Sequence, residues 1–488
     1  MFLPRAPDRM PPARPPKVLR VKVPKTGAFR AKVFRAKVRS RVTPGMRRLR
    51  GATRDAFGLW RHRLLFLVGG IGVGLAAVLM AELADAAQGG FRRVLGLSPM
   101  AALGLTPLGF ALCAWLARDV FPNAQGSGIP QVIAARQTGR LALRRSLVSL
   151  RVAAGKIVVM SLGLLFGAST GREGPTVQVG AAIMAAAGHL TPERVPGLLL
   201  AGGAAGVAAA FNTPLAGIVF GIEELGRAYE ARTGGLIVAA IVAAGLTAMA
   251  LTGNYTYFGT ASAALPFGPG WIAVPVLGAL GGVAGGGFSR IVILFARGLP
   301  GRLGGAIAAR PIAFAAACGL GVALCGLASG GTVYGTGYEE ARTLLHGTAD
   351  PHPDFAPLKF LATLLSAISG IPGGLFAPSL SVGAGLGAAL HGWFSGVPVA
   401  ALVLIGMVAY LTGALQAPIT AFVIVTEMTQ DHALMIPLMV AALIADAVSK
   451  AVCREGLYHA LAHILLERAR TDACPAAPAP AAPPGPAA

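Results

Sequence analysis

Charge is scarce in this chain, and acidic charge scarcer still. Charged residues make up 13% of the sequence, with 20 acids against 42 lysines and arginines. A soluble domain carries about 25%. Together with a mean hydropathy of +0.66, this argues against an ordinary soluble globule. The five cysteines, Cys113, Cys318, Cys325, Cys453 and Cys474, form no CxxC pair, and eight histidines are scattered. Metal-ligand spacing is absent, and most of the cysteines read as small buried hydrophobes in apolar runs. The glycine motifs lack a Walker lysine, and no acidic partner follows a strand. Neither an enzyme nor a cofactor or metal site is read from the residues.

What the chain has instead is length without charge. Leu64–Ala81 is an uncharged run of 18 residues, enough to span a bilayer. Similar runs follow at Met100–Ala117, Leu236–Leu251, Ile272–Phe288, Ala313–Ala328 and Val399–Ala417. Glycine (67) and proline (35) are abundant. In a membrane protein glycine permits close helix contact, and broken helix ends are tolerated where protein or a cavity satisfies them.

The basic residues are concentrated at one end. Residues 1–63 hold 19 Lys/Arg and two acids, Asp8 and Asp55. Such an arm just before the first span argues for a cytoplasmic N-terminus. With prolines from Pro4 to Pro24, residues 1–60 are expected to hold little stable fold. The arm is read as a solvated, topology-setting tail. Binding to acidic headgroups or nucleic acid is the alternative, and no nucleic acid is expected as a partner. The arm is too long, and its first apolar run too distant, for a cleaved signal peptide. Residues 471–488 are Ala/Pro-rich and expected to be disordered, with no regulatory domain after residue 470. The membrane body is placed at 61–470.

That body repeats itself. Lys156 recurs as Lys359, Gly171–Pro175 in form as Gly374–Pro378, and Gly180 as Gly383. Phe211–Ala216, running to Glu223 and Glu224, recurs as Leu415–Thr420, running to Glu427 and Met428. The offset holds at 203 or 204. Two halves are therefore expected, about 64–253 and 271–453, with a final helix at 456–469. The fold class is an all-α polytopic membrane protein of two inverted-topology repeats with broken and re-entrant helices. In such proteins interrupted helices hold ions near the midplane.

Three pieces, Gly126–Arg136, Glu173–Ala187 and Leu375–Leu390, each begin at a Gly/Pro-rich break and are too short to cross alone. A helix start exposes unpaired N–H groups and a partial positive charge of about one half, which makes an anion site. Glycine lets those N–H groups approach an ion, and proline suits the first turn. Ser127 adds a hydroxyl donor.

The segments Gly126-Ser127-Gly128-Ile129-Pro130, Gly171-Arg172-Glu173-Gly174-Pro175 and Gly374-Leu375-Phe376-Ala377-Pro378 resemble, in order and spacing, the three signatures of the CLC chloride channels and chloride/proton antiporters. The resemblance covers roughly residues 60–468. It implies that Ser127, Gly128, Ile129, Leu375, Phe376 and Tyr458 surround chloride. Ser127 and the amides of Leu375 and Phe376 would donate, and the Tyr458 phenol would close the inner side. Glu173 looks like the gating glutamate and Glu224 like the inner proton-transfer glutamate of antiporters. A carboxylate at a helix start would compete with chloride for one site, so that protonation couples to anion exchange. Ser127 is intact where nitrate-selective members carry proline, so chloride is the implied ion. Homodimerisation in the inner (plasma) membrane, with both termini cytoplasmic, is implied as well. The helices near Pro214–Gly226 and Pro418–Thr429 would form much of the subunit contact.

Each residue has a plainer reading. Glu173 fits a charge complementing its helix, Glu224 a surface or contact acid, Ser127 an N-cap and Tyr458 an interfacial aromatic. Arg172, Lys156 and Lys359 read as structural charges, and Glu427 as a mirror of Glu223. The sequence departs from many bacterial relatives in having Gln131 where acids follow the first motif. Three other functions stay open: a passive proton-gated chloride channel, a secondary transporter of another inverted-repeat fold, and a binding protein with the basic arm as its active part and the membrane body as its anchor.

Overall fold

The computed structural model describes residues 44–188, 195–226, 234–253, 256–261, 263–348 and 354–471. The expectations for residues 1–43, the tail 472–488 and Cys474 lie outside these. By backbone packing the chain divides into two units, Met1–Arg61 and His62–Ala488. The described part of the first unit, residues 44–61, is helical. This differs from the little stable fold expected across residues 1–60. The arm's prolines end at Pro44, which takes the first-turn position that proline suits, and the residues beyond it are mostly good helix formers.

The second unit is helical, and no strand occurs among the described residues. Its first half contains α1 (Pro44–Leu97, shared with the first unit), α2 (Ala102–Trp115), α3 (Ile129–Gln137), α4 (Leu141–Leu147), α5 (Leu150–Leu165), α6 (Glu173–Ala187), α7 (Val195–Phe211), α8 (Pro214–Phe220) and α9 (Gly234–Thr252). A π turn, Gly221–Gly226, extends α8. Its second half contains α10 (Ala273–Arg297), α11 (Gly301–Ala309), α12 (Pro311–Ala328), α13 (Tyr338–Leu345), α14 (Phe355–Ile368), α15 (Phe376–Ala389), α16 (Val399–Leu415), α17 (Pro418–Thr429) and α18 (Met435–Val452). The last helix is α19 (Leu457–Thr471).

Seven helical stretches among the described residues are long and apolar enough to cross a membrane, including Arg63–Leu97, Leu141–Leu165 and Met435–Val452. The chain is a multi-pass membrane protein. Helices α7, α14, α16 and α17 are apolar but shorter, and the helices that start at the glycine breaks, α3, α6 and α15, run only 9, 15 and 14 residues.

The two halves use the same contacts. A Cβ at Gly180 would lie 2.3 Å from the Gly202 carbonyl, and one at Gly383 would lie 2.4 Å from the Gly406 carbonyl. Both α6–α7 and α15–α16 are therefore backbone-to-backbone contacts that only glycine allows. The inversion is visible in α8 and α17. The Glu427 carboxylate at the end of α17 accepts from the amides of Leu215 and Ala216 at the start of α8, at 3.1 and 2.7 Å. The Glu223 carboxylate at the end of α8 accepts from Ile419 and Thr420 at the start of α17, at 3.1 and 2.6 Å. Each helix ends where the other begins, so they run antiparallel. Glu427 mirrors Glu223 as expected, and the mirror is a reciprocal pair of carboxylate caps.

Candidate anion site at the helix breaks

The three glycine breaks, distant in sequence, are joined through their backbones. Gly126 donates to the Ile371 carbonyl and Gly373 donates to Gly126, both at 3.2 Å; Gly171 and Gly374 exchange bonds at 2.8 and 2.7 Å. These are the isolated bridges Gly126–Pro372 and Gly171–Gly374. They give the interrupted backbone partners that lipid would deny it. They also bring the starts of α3, α6 and α15 together.

Buried lysines brace the breaks from behind. Lys156 on α5 is wholly buried and donates to the carbonyls of Gln125 and Gly126 at 3.2 and 2.8 Å. Lys359 on α14 does the same for Val333 and Gly335, both at 2.9 Å. Gly126 and Gly335 share a left-handed backbone (φ 62° and 67°), as do Gly128 and Gly337 (φ 98° and 75°). These loops are thus repeat partners too, at an offset of 209 (335 − 126) rather than 203. Gln131 donates to the same Gln125 carbonyl at 2.7 Å. It stands beside Lys156, and among the described residues no carboxylate pairs with that lysine.

Within this frame lie the residues singled out from sequence. Ser127 is buried, and its Oγ has no hydrogen-bond partner. It is not an N-cap: Gly128 caps α3, without a side-chain bond. Ile129 opens that helix and is fully buried. A Cβ at Gly174 would meet Ser127 Oγ at 2.3 Å, so glycine is what admits the hydroxyl to the start of α6. Leu375 caps α15 and Phe376 is its first residue, wholly buried. The Phe376 ring lies 6.3 Å from Tyr458, 5.9 Å from Phe211 and 5.8 Å from Phe220. Tyr458 is fully buried with an unpaired Oη, which removes the interfacial reading. Ser127, Glu224 and Glu173 are its polar neighbours.

Glu173 is fully buried at the first position of α6. Its carboxylate faces the backbone N–H groups of Arg172, Glu173 and Ala377 without a well-formed bond to any. It therefore sits against the starts of both α6 and α15, where a small anion would also be drawn. Arg172 points elsewhere, donating to Asp85 at 3.1 Å and to the Ala81 carbonyl at 3.0 Å on α1. Its structural reading fits.

Glu224 is 5% exposed. Its Oε1 lies 3.2 Å from His459 Nδ1 on α19. Sequence reasoning missed His459: a histidine on an amphipathic helix carries no local mark. Its one available signal was its place next to Tyr458. Reasoning also missed Arg136, whose guanidinium binds the carbonyls of Pro196 and Leu225 beside this pair.

Antiparallel halves of broken helices, with helix starts gathered round unpaired buried polar groups, define an ion-translocating membrane protein. The chain belongs to the voltage-gated chloride channel family, whose model matches residues 109–450. It is 29% identical over 439 residues to the H+/Cl− exchange transporter ClcA of Yersinia pestis bv. Antiqua, covering 82% of this chain and 86% of that protein. It is 30% identical over 397 residues to the transporter of the same name from Citrobacter koseri, covering 73% and 78%. A crystal structure of a slow cyanobacterial Cl−/H+ antiporter superposes with a TM-score of 0.70 at 26% identity, over 84% of this chain and 98% of the other.

Proposed function

We propose that this chain is a chloride/proton antiporter in which Glu173 competes with chloride for the starts of α6 and α15. One observation carries the reading. Ser127 Oγ, Tyr458 Oη and both Glu173 oxygens are buried without a well-formed hydrogen bond in the chain, beside helix starts whose glycine breaks are bonded across the two halves. Buried polar groups are otherwise satisfied, and a dehydrated halide suits hydroxyl and amide donors at helix starts. Glu173 as an anion holds the same place. Once protonated it loses its charge and its claim on the helix starts, so chloride entry and proton uptake are linked. Glu224 supplies the proton site on the other side. The named exchange transporters among the relatives support exchange over passive conduction.

Contacts support the sidedness proposed here. α1 crosses from Arg63 to Leu97, and the following stretch Pro99–Val120 returns. Arg151 binds the Val120 carbonyl, Arg136 the Leu225 carbonyl and Arg140 the Ala469 carbonyl. The Glu224 region and the end of α19 therefore share a side with Arg63 and with Arg144, Arg145 and Arg151. Positive residues favour the cytoplasm, which puts that side, and both termini, inside the plasma (inner) membrane. The exposed apolar residues Leu215, Ile222, Leu246, Ile419, Ile436 and Leu443 lie on α8 with its π turn, α9, α17 and α18. They form the face on which a second copy docks to make the homodimer within the bilayer.

The test is proton pumping by a chloride gradient in liposomes. The unsubstituted protein drives protons uphill; Glu173→Gln and Glu224→Gln lose proton movement and keep halide flux. If both variants still pump, the relay assignment fails. A reversal potential indifferent to a pH gradient makes the protein a passive channel instead.

A further inference from the structure

The π turn at the end of α8 separates two adjacent acids. Glu223 caps α17. Glu224 turns to α19, where His459 Nδ1 meets its Oε1 at 3.2 Å. The next-door Tyr458 is wholly buried against Phe376, while the His459 side chain retains 17% exposure and that of Glu224 only 7%. The order from solvent inward is thus imidazole, carboxylate, central cluster.

We propose that His459 is the first proton acceptor on the cytoplasmic side and hands its proton to Glu224; this rests on the exchanger reading above. Imidazole is the side chain suited to exchanging protons with solvent near neutral pH, whereas a carboxylate takes one up from neutral solvent only rarely. In the transfer, Nε2 takes a proton from solvent to give the imidazolium. Nδ1–H then passes its proton to Oε1, leaving neutral imidazole and a neutral carboxylic acid. Glu224 releases that proton inward, and rotation of the ring or exchange through water resets the imidazole. Only N–H and O–H bonds are made and broken.

Among the described residues, most charged groups on the elements packed against this pair are engaged elsewhere. On α19, His463 lies 3.3 Å from Glu467. On α10, Arg297 is engaged by Glu455 at 2.6 Å, and Arg290 lies a further two turns back along that helix. From α3, Arg136 binds two carbonyls, and α16 carries no ionisable residue except Tyr410, which is fully buried. Glu223 is committed to its caps.

The experiment uses the full chain in phosphatidylethanolamine/phosphatidylglycerol vesicles. Chloride-driven proton movement is measured with both sides buffered together across about pH 5.5 to 8, the range over which histidine titrates. The unsubstituted protein shows an inflection within that range. In His459→Gln, which keeps a hydrogen-bond donor for Glu224, proton movement at neutral pH falls about tenfold or more and the inflection disappears. Chloride flux and a single gel-filtration species show that the variant is assembled. If His459→Gln matches the parent in rate and profile, the relay is overturned. Should that variant not assemble, a parent profile without an inflection overturns it equally. If the parent pumps no protons at all, the exchanger reading fails and takes this inference with it.

Discussion

The reciprocal caps of α8 and α17 give a quantitative handle on how the two halves are held. Each carboxylate accepts two backbone N–H bonds from the opposite half. A hydrogen bond to a charged group contributes about 1.5–3 kcal/mol, and a neutral one about 1. Glu223→Gln keeps one neutral bond and turns an NH2 group toward the other amide. Partial exposure pulls the figure toward its lower end, so the expected loss is about 2 kcal/mol. The body spans roughly 400 residues, and unfolding entropy is about 2.1 cal/mol/K per residue. The midpoint in detergent should therefore fall by about 2–3 °C. Glu427→Gln removes the same pair of bonds at the other end of the helix pair. About eight helical rises, roughly 12 Å, separate the two caps. Sites that far apart add, so the double variant should lose about 4 kcal/mol and about 5 °C. Thermal unfolding followed by tryptophan fluorescence reads this directly. A double variant melting within a degree of the parent would refute the reasoning. The same proteins answer a functional question, since Glu223 is engaged in capping and Glu224 is paired with His459. Proton coupling should survive Glu223→Gln; if it is lost there and kept in Glu224→Gln, the two acids have been assigned the wrong way round.

Two further outcomes follow from the breaks. Lys359→Met should cost more stability than Lys156→Met, by about 1–2 kcal/mol. When Lys156 is lost, Gln125 keeps its bond from Gln131 and Gly126 its bond from Gly373, whereas Lys359 supplies the described bonds to Val333 and Gly335; comparative melting in detergent checks the ranking, and equal losses contradict it. Gly174→Ala should cut chloride efflux at least about tenfold, equivalent to about 1.4 kcal/mol, in a protein that still assembles. Its Cβ would stand 2.3 Å from Ser127 Oγ, and efflux equal to the parent's would remove Ser127 from the ion path.

Much of this was legible in the sequence because the breaks are local. Glycine and proline interrupt apolar runs whatever the rest of the chain does, so α6 begins at Glu173 as expected and α15 one residue after the expected Leu375. The start of α3 was placed three residues early, at Gly126 instead of Ile129. Gly126 and Gly128 take a left-handed backbone, and Gly126 is tied to residues 371 and 373 in the other half, a partner that no local rule reveals. The repeat was read at 203 and 204 but not at 209, because a six-residue shift in spacing separates the loops of Gly126 and Gly335 from the helices behind them. The cap of α17 by Glu223 and the meeting of Glu224 with His459 depend on pairs 196 and 235 residues apart. Such pairs are properties of the assembled fold.

The repeat also shows how one frame becomes a one-sided device. Counting from the matched glycines 128 and 337, Gln131 in the first half stands where Glu340 stands in the second. Glu340 is a charged neighbour of Lys359; Gln131 shares a carbonyl with Lys156. At the next break the order reverses, with Glu173 in the first half against Phe376 in the second. The first half thus has no carboxylate on the bracing lysine and places one at the start of α6, where the proposed exchange has it compete with chloride. A fixed acid four residues from Ser127 would repel chloride at all times, whereas Glu173 repels it only while ionised and seated. Phe376 offers its backbone and an apolar ring, so the second half contributes helix-start polarity without a competing charge. Two copies of one unit, each satisfying its broken backbone through the other, therefore carry a single titratable competitor. In the proposed exchange, that asymmetry lets a symmetric scaffold couple proton binding at Glu173 to the vacating of the anion site.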